Sequence, residues 1–379
     1  MICCWLLSLC GLLLAGCGLD NPADPDYGLT PLGSFRYAVQ EDEQPLFELE
    51  VLKWPQGHRA AVSITYDAPF GTNPGHHLAT DAVLARGLTM DIEMVTAIFQ
   101  ESKNLHLLED IQNQLVPRGI HFFGHGHRHI NHDSLSYEEN LVDFGRCFDL
   151  MTEWGLRPRA YAYPGSAGYL PQTQQANHDA GFLCARGMSV KPAEYSICPG
   201  DTTEPANWYY LPSVVLSQGE SVNYVNSYEE LEPILADALK RQAWVILMHH
   251  AIGIPEGWGY FPLDDFEREL DYLAGHDFWS GNMDMTALYI KERNAFAPQL
   301  GRVEKIKGKR SFALLLADGL DNSVYDQPLT LEFHFSSRLK GQTLHVEPAI
   351  EGRTDFPVVD GALQLHAIPD EQTYLLSLR

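Results

Sequence analysis

Cysteine is scarce where a disulfide framework would need it. Of seven cysteines, four fall at positions 3, 4, 10 and 17, which leaves Cys147, Cys184 and Cys198. An odd count cannot form a full framework, and no CxxC pair offers a cysteine zinc site. The spacing leaves room for a Cys184–Cys198 bridge in an oxidising compartment. Positive charge is scarce too: 26 Lys and Arg stand against 50 Asp and Glu, a net charge of −24. Such a field repels polyanions, so nucleic acid is excluded as a partner while neutral sugars remain open. After residue 16 there is no uninterrupted apolar run long enough to span a bilayer. Internal repeats are absent. With 379 residues, 45% hydrophobic and 20% charged, the chain is neither disordered, collagen-like nor a simple coiled coil. The length fits two domains, or one barrel of about 250 residues with an appendage.

Residues 1–16 are uncharged and almost wholly apolar. They are too few for a mature spanning helix, which needs about 20 residues, and read as an export signal. Leu14-Ala15-Gly16-Cys17 resembles the lipobox of bacterial lipoproteins, although no Lys or Arg precedes the apolar run. The resemblance implies lipidation at Cys17 and an exported chain held to a membrane of the bacterial cell envelope by lipid alone. An ordinary secretory signal cut nearby would export it as well. Residues 17–50 read as tether and lead-in, with Pro, Gly and Asp concentrated in 18–34.

From residue 59 strands and helices alternate. Apolar runs over 59–67, 88–96, 119–123, 159–163 and 244–248 predict buried strands. Apolar spacing of three and four predicts helices over 76–86, 105–116, 137–154, 172–181, 228–240 and 264–274. This alternation predicts a parallel sheet, long enough over 51–296 for a closed barrel. Past residue 296 the helical period stops. Short runs at 311–316, 329–335, 343–346 and 374–378 predict a small C-terminal all-β domain over 297–379.

The 16 histidines are roughly twice the usual number, and five of them cluster in His121-Phe122-Phe123-Gly124-His125-Gly126-His127-Arg128-His129-Ile130-Asn131-His132. Neutral imidazole suits Zn²⁺ and neighbouring divalent ions. His125 and His129 share a face in a helical turn; in an extended segment His125, His127 and His129 would do so. Asp67 ends the first buried strand, where α/β enzymes place catalytic groups, or it caps the next helix. Met248-His249-His250 ends the last apolar strand. Asp91 and Glu93 form an odd acidic pair on an apolar strand, directed to the barrel interior or to solvent.

Asp at the end of the first strand, His-x3-His after the third and His at the end of the last resemble the polysaccharide deacetylases. These are the NodB-homology group, carbohydrate esterase family 4, and the resemblance covers about residues 55–295. Thr65-Tyr66-Asp67-Ala68 stands for the family's TFDD, His125 to Ser136 for its His-x3-His motif with a Leu-Ser helix start. Tyr161-Ala162-Tyr163-Pro164-Gly165 stands for the third motif and Trp244 to Ile252 for the last. The resemblance implies a distorted (β/α) barrel and a metal-dependent hydrolase that removes N- or O-acetyl groups from an envelope or imported polysaccharide. It implies Asp67 as general base, His250 as general acid with His249 as the close alternative, and His125 and His129 as ligands of a divalent metal, zinc first. Tyr163, Pro164, Gly165 and Trp208 fall at substrate positions, with a backbone N–H near 163–165 for the oxyanion. Tyr66, Tyr161 and Trp258 are further candidate faces for sugar.

The chain departs from the family at three places. Ala68 replaces the metal-binding Asp, Ala162 the third-motif Arg, and Asn207 the Asp that pairs with that Arg. A third ligand must then come from Asp67, from His76 or His77, or from Asp91 or Glu93. Were none to serve, the chain would be a catalytically silent carbohydrate-binding lipoprotein on the same fold.

Overall fold

A computed structural model describes residues 27–379, apart from 42, 68–75, 189–193, 220, 222–223, 302–309 and 359–360. Cys17 and Ala68 therefore lie outside the described residues, as does the His76 side chain. The chain opens with three antiparallel strands, β1 (Tyr27–Gly33), β2 (Arg36–Glu41) and β3 (Gln44–Val51). This corrects the reading of 17–50 as tether and lead-in over its described part. Phe47 and Leu49 stand opposite Phe335 and Phe333, far away in sequence. The apolar face of β3, with Leu46, Phe47, Leu49 and Val51, is buried, which a solvated tether would not allow.

The next strands are β4 (Ala60–Tyr66), β5 (Asp91–Met94), β6 (His121–Gly124), β7 (Ala160–Ala162), β8 (Cys184–Arg186), β9 (Val214–Leu216), β10 (Tyr224–Val225) and β11 (Trp244–His249). They lie in the spatial order β10-β9-β11-β4-β5-β6-β7-β8, every pair parallel. An irregular segment links β8 back to β9, with β10 at the outer edge of β9. Arg186 bridges Leu211 in parallel, Ala185 N donates to Trp208 O and Leu211 N to Ala185 O, both at 2.8 Å. That segment runs on into β9, so the sheet closes as a distorted (β/α) barrel. Strands this short make the closure irregular.

Outside the barrel lie α1 (His76–Leu84), α2 (Thr96–Gln100), α3 (Leu105–Asp110), α4 (Tyr137–Glu153), α5 (Pro171–Asp179), α6 (Tyr228–Arg241) and α7 (Leu263–Gly275). Val62, Ile64 and Tyr66 of β4 face them, in one cluster with Phe144, Leu231 and Leu270. Ala61 faces inward with Phe123, Ala162, Trp244 and Ile246. Burial on both faces is why β4 and β11 read as unbroken apolar runs. Side chains alternate along β4, so Ser63, Thr65 and Asp67 continue the inward row begun by Ala61. Two-residue strands β12 (Ala251–Ile252) and β13 (Tyr260–Phe261) pair beyond the barrel mouth, and β14 (Phe278–Ser280) pairs with the start of β4. Cys184 and Cys198 are both free and buried, so the bridge for which their spacing leaves room is not formed.

The remaining elements are α8 (Met283–Ala295), β15 (Gln299–Gly301), β16 (Arg310–Ala317), β17 (Leu329–Phe335), β18 (Thr343–Ile350), β19 (Arg353–Pro357), β20 (Ala362–Ala367) and β21 (Asp370–Leu378). Two antiparallel sheets, β1-β2-β3-β17-β20 and β15-β16-β21-β18-β19, share a core that includes Phe47, Phe312, Phe333, Leu344 and Leu376. The all-β unit is thus built from both ends of the chain. Helix α8 lies between the two cores. Its Met283, Ala287 and Ile290 close the barrel floor, while Tyr289 belongs to the sheet core and donates to Leu52 O at 2.8 Å. Among the described residues no helix is long and apolar enough to cross a membrane.

Glu292 of α8 carries a testable consequence of that double burial. Its Oε1 accepts from Gln327 N at 2.8 Å, but Oε2 is buried without a partner among the described residues. Burial pushes its pKa up to about 8. A raised carboxyl binds its proton in the folded state when the unfolded chain has released it. Its contribution is complete below about pH 4.5 and is lost as pH rises through 8. Glu292→Gln removes that loss. Urea midpoints at pH 5 and pH 8 should show little gain for the variant at pH 5 and a larger gain at pH 8, growing by at most roughly 1.4 kcal/mol per pH unit. Equal gains at both would place the proton elsewhere.

Candidate active site

The carboxyl ends of the barrel strands surround a cavity of about 650 Å³. Asp67, Glu93, His125, His129, Tyr163, Gly165, Arg186, Met248 and His250 are among its lining residues, with Trp258 at the mouth. Ligand atoms of Asp67, Glu93 and His125 lie within 4.8 Å of one another, and all three side chains are buried.

Each arrives there for a local reason. Asp67 follows β4, and its N–H donates to His249 O at 2.7 Å, which extends the β4–β11 ladder. Glu93 occupies an inward position of β5. His125 follows β6, its N–H bonded to Met94 O at 3.0 Å. From there the chain turns sharply at Gly126, where φ is +90° and a β-carbon would stand 2.5 Å from Arg128 O. Asp143 of α4 holds this turn. It accepts from His127 N at 2.9 Å, Arg128 N at 3.4 Å, Arg128 Nε at 2.9 Å and His132 Nε2 at 3.1 Å. The turn brings the exposed His129 over His125, ring centres 5.0 Å apart. Ser136 and Glu139 form a reciprocal cap that starts α4, as the Leu-Ser helix start implies.

The remaining three histidines of the cluster do other work. His127 meets Thr96 Oγ1 at 3.1 Å, His132 is buried against Asp143 and Phe144, and His121 lies near Asp284, 3.7 Å away. His249 and His250 point opposite ways, as alternation requires. His249 is fully buried and pairs with Glu269 at 3.0 Å. His250 enters the cavity, its ring perpendicular to Trp258 at 4.3 Å. Gly259 leaves room for it: a β-carbon there would stand 2.8 Å from His250 Cβ.

Several candidates from the sequence stand elsewhere. His77 pairs with Asp110 at 2.8 Å. Asp91 shares the inward face of β5 with Glu93 but accepts from Asn282 Nδ2 and Met283 N, both at 2.8 Å, at the start of α8. Neither lines the cavity. Trp208 packs toward the barrel floor, bonded to Glu204 with Lys291 over its ring. Pro164 is buried, while Tyr163 and Gly165 line the wall. Tyr163 N donates to Arg186 O at 3.2 Å, so that N–H is not free for an oxyanion. Tyr66 and Tyr161 are core residues.

Sequence reasoning missed Arg186. It lies on β8, three residues long, and pairs with Asp67 while almost wholly buried. Its other terminal nitrogen, Nη1, reaches Met248 Sδ at 2.8 Å, and the group lies over the Phe123 ring. An arginine is therefore present beside Asp67 although Ala162 occupies the expected position.

The charges follow from this packing. Burial alone would raise the Asp67 carboxyl; Arg186 foremost, then His250 and His125, more than offset it and hold Asp67 below the usual carboxylate range. Glu93 is pushed well above that range by burial and by Asp67. Burial lowers His125 to about 3 and His250 to about 4, so both rings are neutral near pH 7. Glu93 Oε1 is buried with no partner among the described residues. Two imidazoles and an under-satisfied carboxylate on one cavity are a donor set that suits a divalent cation.

No protein-family model and no curated protein matches the sequence. Among solved structures, the chain is similar to a family 4 carbohydrate esterase from Streptomyces lividans in complex with acetate, at 16% identity over 59% of this chain and 93% of that one, TM-score 0.38. It is similar to a peptidoglycan deacetylase from Bacillus subtilis at 12% identity over 62% and 94%, TM-score 0.38. A third is a family 4 pseudoenzyme from Bacillus anthracis, at 11% identity over 60% and 65%, TM-score 0.38.

Proposed function

We propose that the chain is a divergent polysaccharide deacetylase of the NodB-homology type, a hydrolase that removes acetyl groups from an N- or O-acetylated polysaccharide. One observation carries the reading. An arginine-paired aspartate, an under-satisfied glutamate beside His125, and the further histidines His129 and His250 converge on one cavity at the carboxyl ends of the barrel strands. A silent fold has no physical reason to bury that combination.

His125, His129 and one of the two buried carboxylates would hold a divalent ion, zinc in our reading, which when bound supplies the Lewis acidity that ester or amide hydrolysis needs. The rest falls to the chain itself. Arg186 fixes Asp67 and keeps it ionised, so the carboxylate accepts a proton from the attacking water. His250 stands across the cavity as donor to the leaving alcohol or amine. Its ring is neutral at rest; negative charge growing on the acyl group favours its protonated form, so the proton that Asp67 takes from the water passes to His250 and from there to the leaving group. Met188, Met248, Ala251 and Ile254 give the cavity an apolar side that suits an acetyl methyl. Trp258, 65% exposed at the mouth, offers a face to a sugar ring. We place the protein on the bacterial cell envelope, anchored through lipid on Cys17.

Acetate release from acetylated chito-oligosaccharide and from acetylated xylan tests the reading. Release from at least one, abolished by a chelator and restored by zinc, is expected. Binding of these glycans without acetate release under any metal would mark a silent carbohydrate-binding protein instead.

A further inference from the structure

We infer that Glu93, from the strand beside Asp67, is the carboxylate ligand of the divalent ion, in place of the one absent at Ala68. The inference rests on the deacetylase reading and deepens it, because it gives the two buried carboxylates separate tasks.

The strand register supplies the position. Tyr66 stands opposite Ile92, so the next residue on each strand, Asp67 and Glu93, lie level at the cavity floor. Their electrostatic surroundings differ. Asp67 is neutralised by the Arg186 guanidinium, and a carboxylate already satisfied by an arginine competes poorly for a metal. Glu93 is 2% exposed; among the described residues its only ion-pair partner is His125 and its Oε1 has no hydrogen-bond partner.

The contact with His125 points the same way. His125 Nδ1 lies 2.9 Å from Ala162 O. A carbonyl only accepts, so Nδ1 carries the ring proton and, in the neutral ring, Nε2 presents a lone pair. That lone pair faces Glu93 Oε2 at 3.2 Å. Two acceptors at this distance need a cation or a shared proton between them. Two ligands held about 2.1 Å from a tetrahedral ion stand roughly 3.4 Å apart, so the observed spacing is close to the edge of such a site. His129, with its ring centre 5.0 Å from that of His125, is the second imidazole. The competing arrangement is a buried acid and imidazole that share one proton and bind no metal through Glu93.

Metal uptake separates the two without reference to activity. The full chain is stripped with chelator, loaded with Zn²⁺ or Co²⁺, dialysed, and assayed for bound metal and for the Co²⁺ visible spectrum. The wild type should retain one equivalent and Asp67→Asn should retain it too. Glu93→Gln should lose affinity by about 10²-fold or more, as should His125→Ala. If Glu93→Gln keeps its metal while His125→Ala loses it, Glu93 is not a ligand and the deacetylase reading stands. If the wild type takes up no metal, both fall. Should Glu93→Gln fail to fold, Glu93→Asp withdraws the carboxylate by one methylene. A shifted Co²⁺ spectrum is then expected, and an unchanged one overturns the assignment.

Discussion

Asp67→Asn should lower kcat on an acetylated substrate by roughly 10²–10⁴-fold, the usual worth of a positioned general base, while bound metal stays at the wild-type level. Amide and carboxylate are nearly isosteric, and Arg186 keeps an acceptor oxygen to bond, so the cavity should hold its shape. Arg186→Met distinguishes a positioning role from a catalytic one. Arg186 approaches Asp67 and Met248. Its removal leaves a carboxylate buried beside His125 and Glu93 with its main counter-charge gone. That should cost about 3–5 kcal/mol of stability. It should also let the Asp67 pKa rise, because burial, the largest influence on that carboxyl, is offset chiefly by Arg186. The base must be ionised to act, so the acid limb of the kcat/KM profile should move to higher pH in Arg186→Met. A lower plateau with an unmoved limb would mean that Arg186 only packs. Loss of metal in Asp67→Asn would mean that Asp67, not Glu93, is the ligand.

The residues that could be read from sequence are those that end long apolar strands. β4 and β11 are buried on both faces, so their boundaries show as unbroken runs, and Asp67 and His250 sit where those runs stop. His125 and His129 stand out by spacing. Density of histidine was a weaker guide: His121, His127 and His132 belong to the same cluster yet face Asp284, Thr96 and Asp143 instead of lining the cavity. Arg186 escaped because β8 is three residues long and carries no periodic signal. Its place beside Asp67 depends on the irregular closure through Leu211, a pairing that no local pattern encodes. Glu93 was only one of several candidates, since alternation puts Asp91 and Glu93 on the same face and the packing of α8 against Asp91 decides between them. The strands over 27–51 were missed for a related reason. Pro31 and Gly33 interrupt the first of them, and β17, one of the two partners of β3, lies far along the chain at Leu329–Phe335.

Adjacent histidines at the end of β11 permit the last test, because one backbone sends them into opposite environments. His250→Ala should reduce kcat by roughly 10²–10⁴-fold with metal content unchanged, since in this reading its ring serves the leaving group and not the ion. Thermal stability should change little. His250 Nδ1 has no partner among the described residues, and the ring rests against Trp258 at the cavity mouth instead of in the core. His249→Ala should do the reverse. His249 and Glu269 are both fully buried and face each other at 3.0 Å, with His249 Nδ1 near Thr65 O at 3.4 Å and the ring edge against Phe261 and Phe266. Removing the imidazole leaves Glu269 without its partner in an apolar layer and opens a cavity. A loss of about 3–5 kcal/mol is expected, visible as a lower urea midpoint. The fraction that remains folded should turn over at close to the wild-type rate. His249→Gln, which can still donate to Glu269, should recover part of the stability. If His249→Ala is instead the inactive variant at full stability, the proton donor is the other histidine, and the sheet register at the end of β11 differs in solution by one residue.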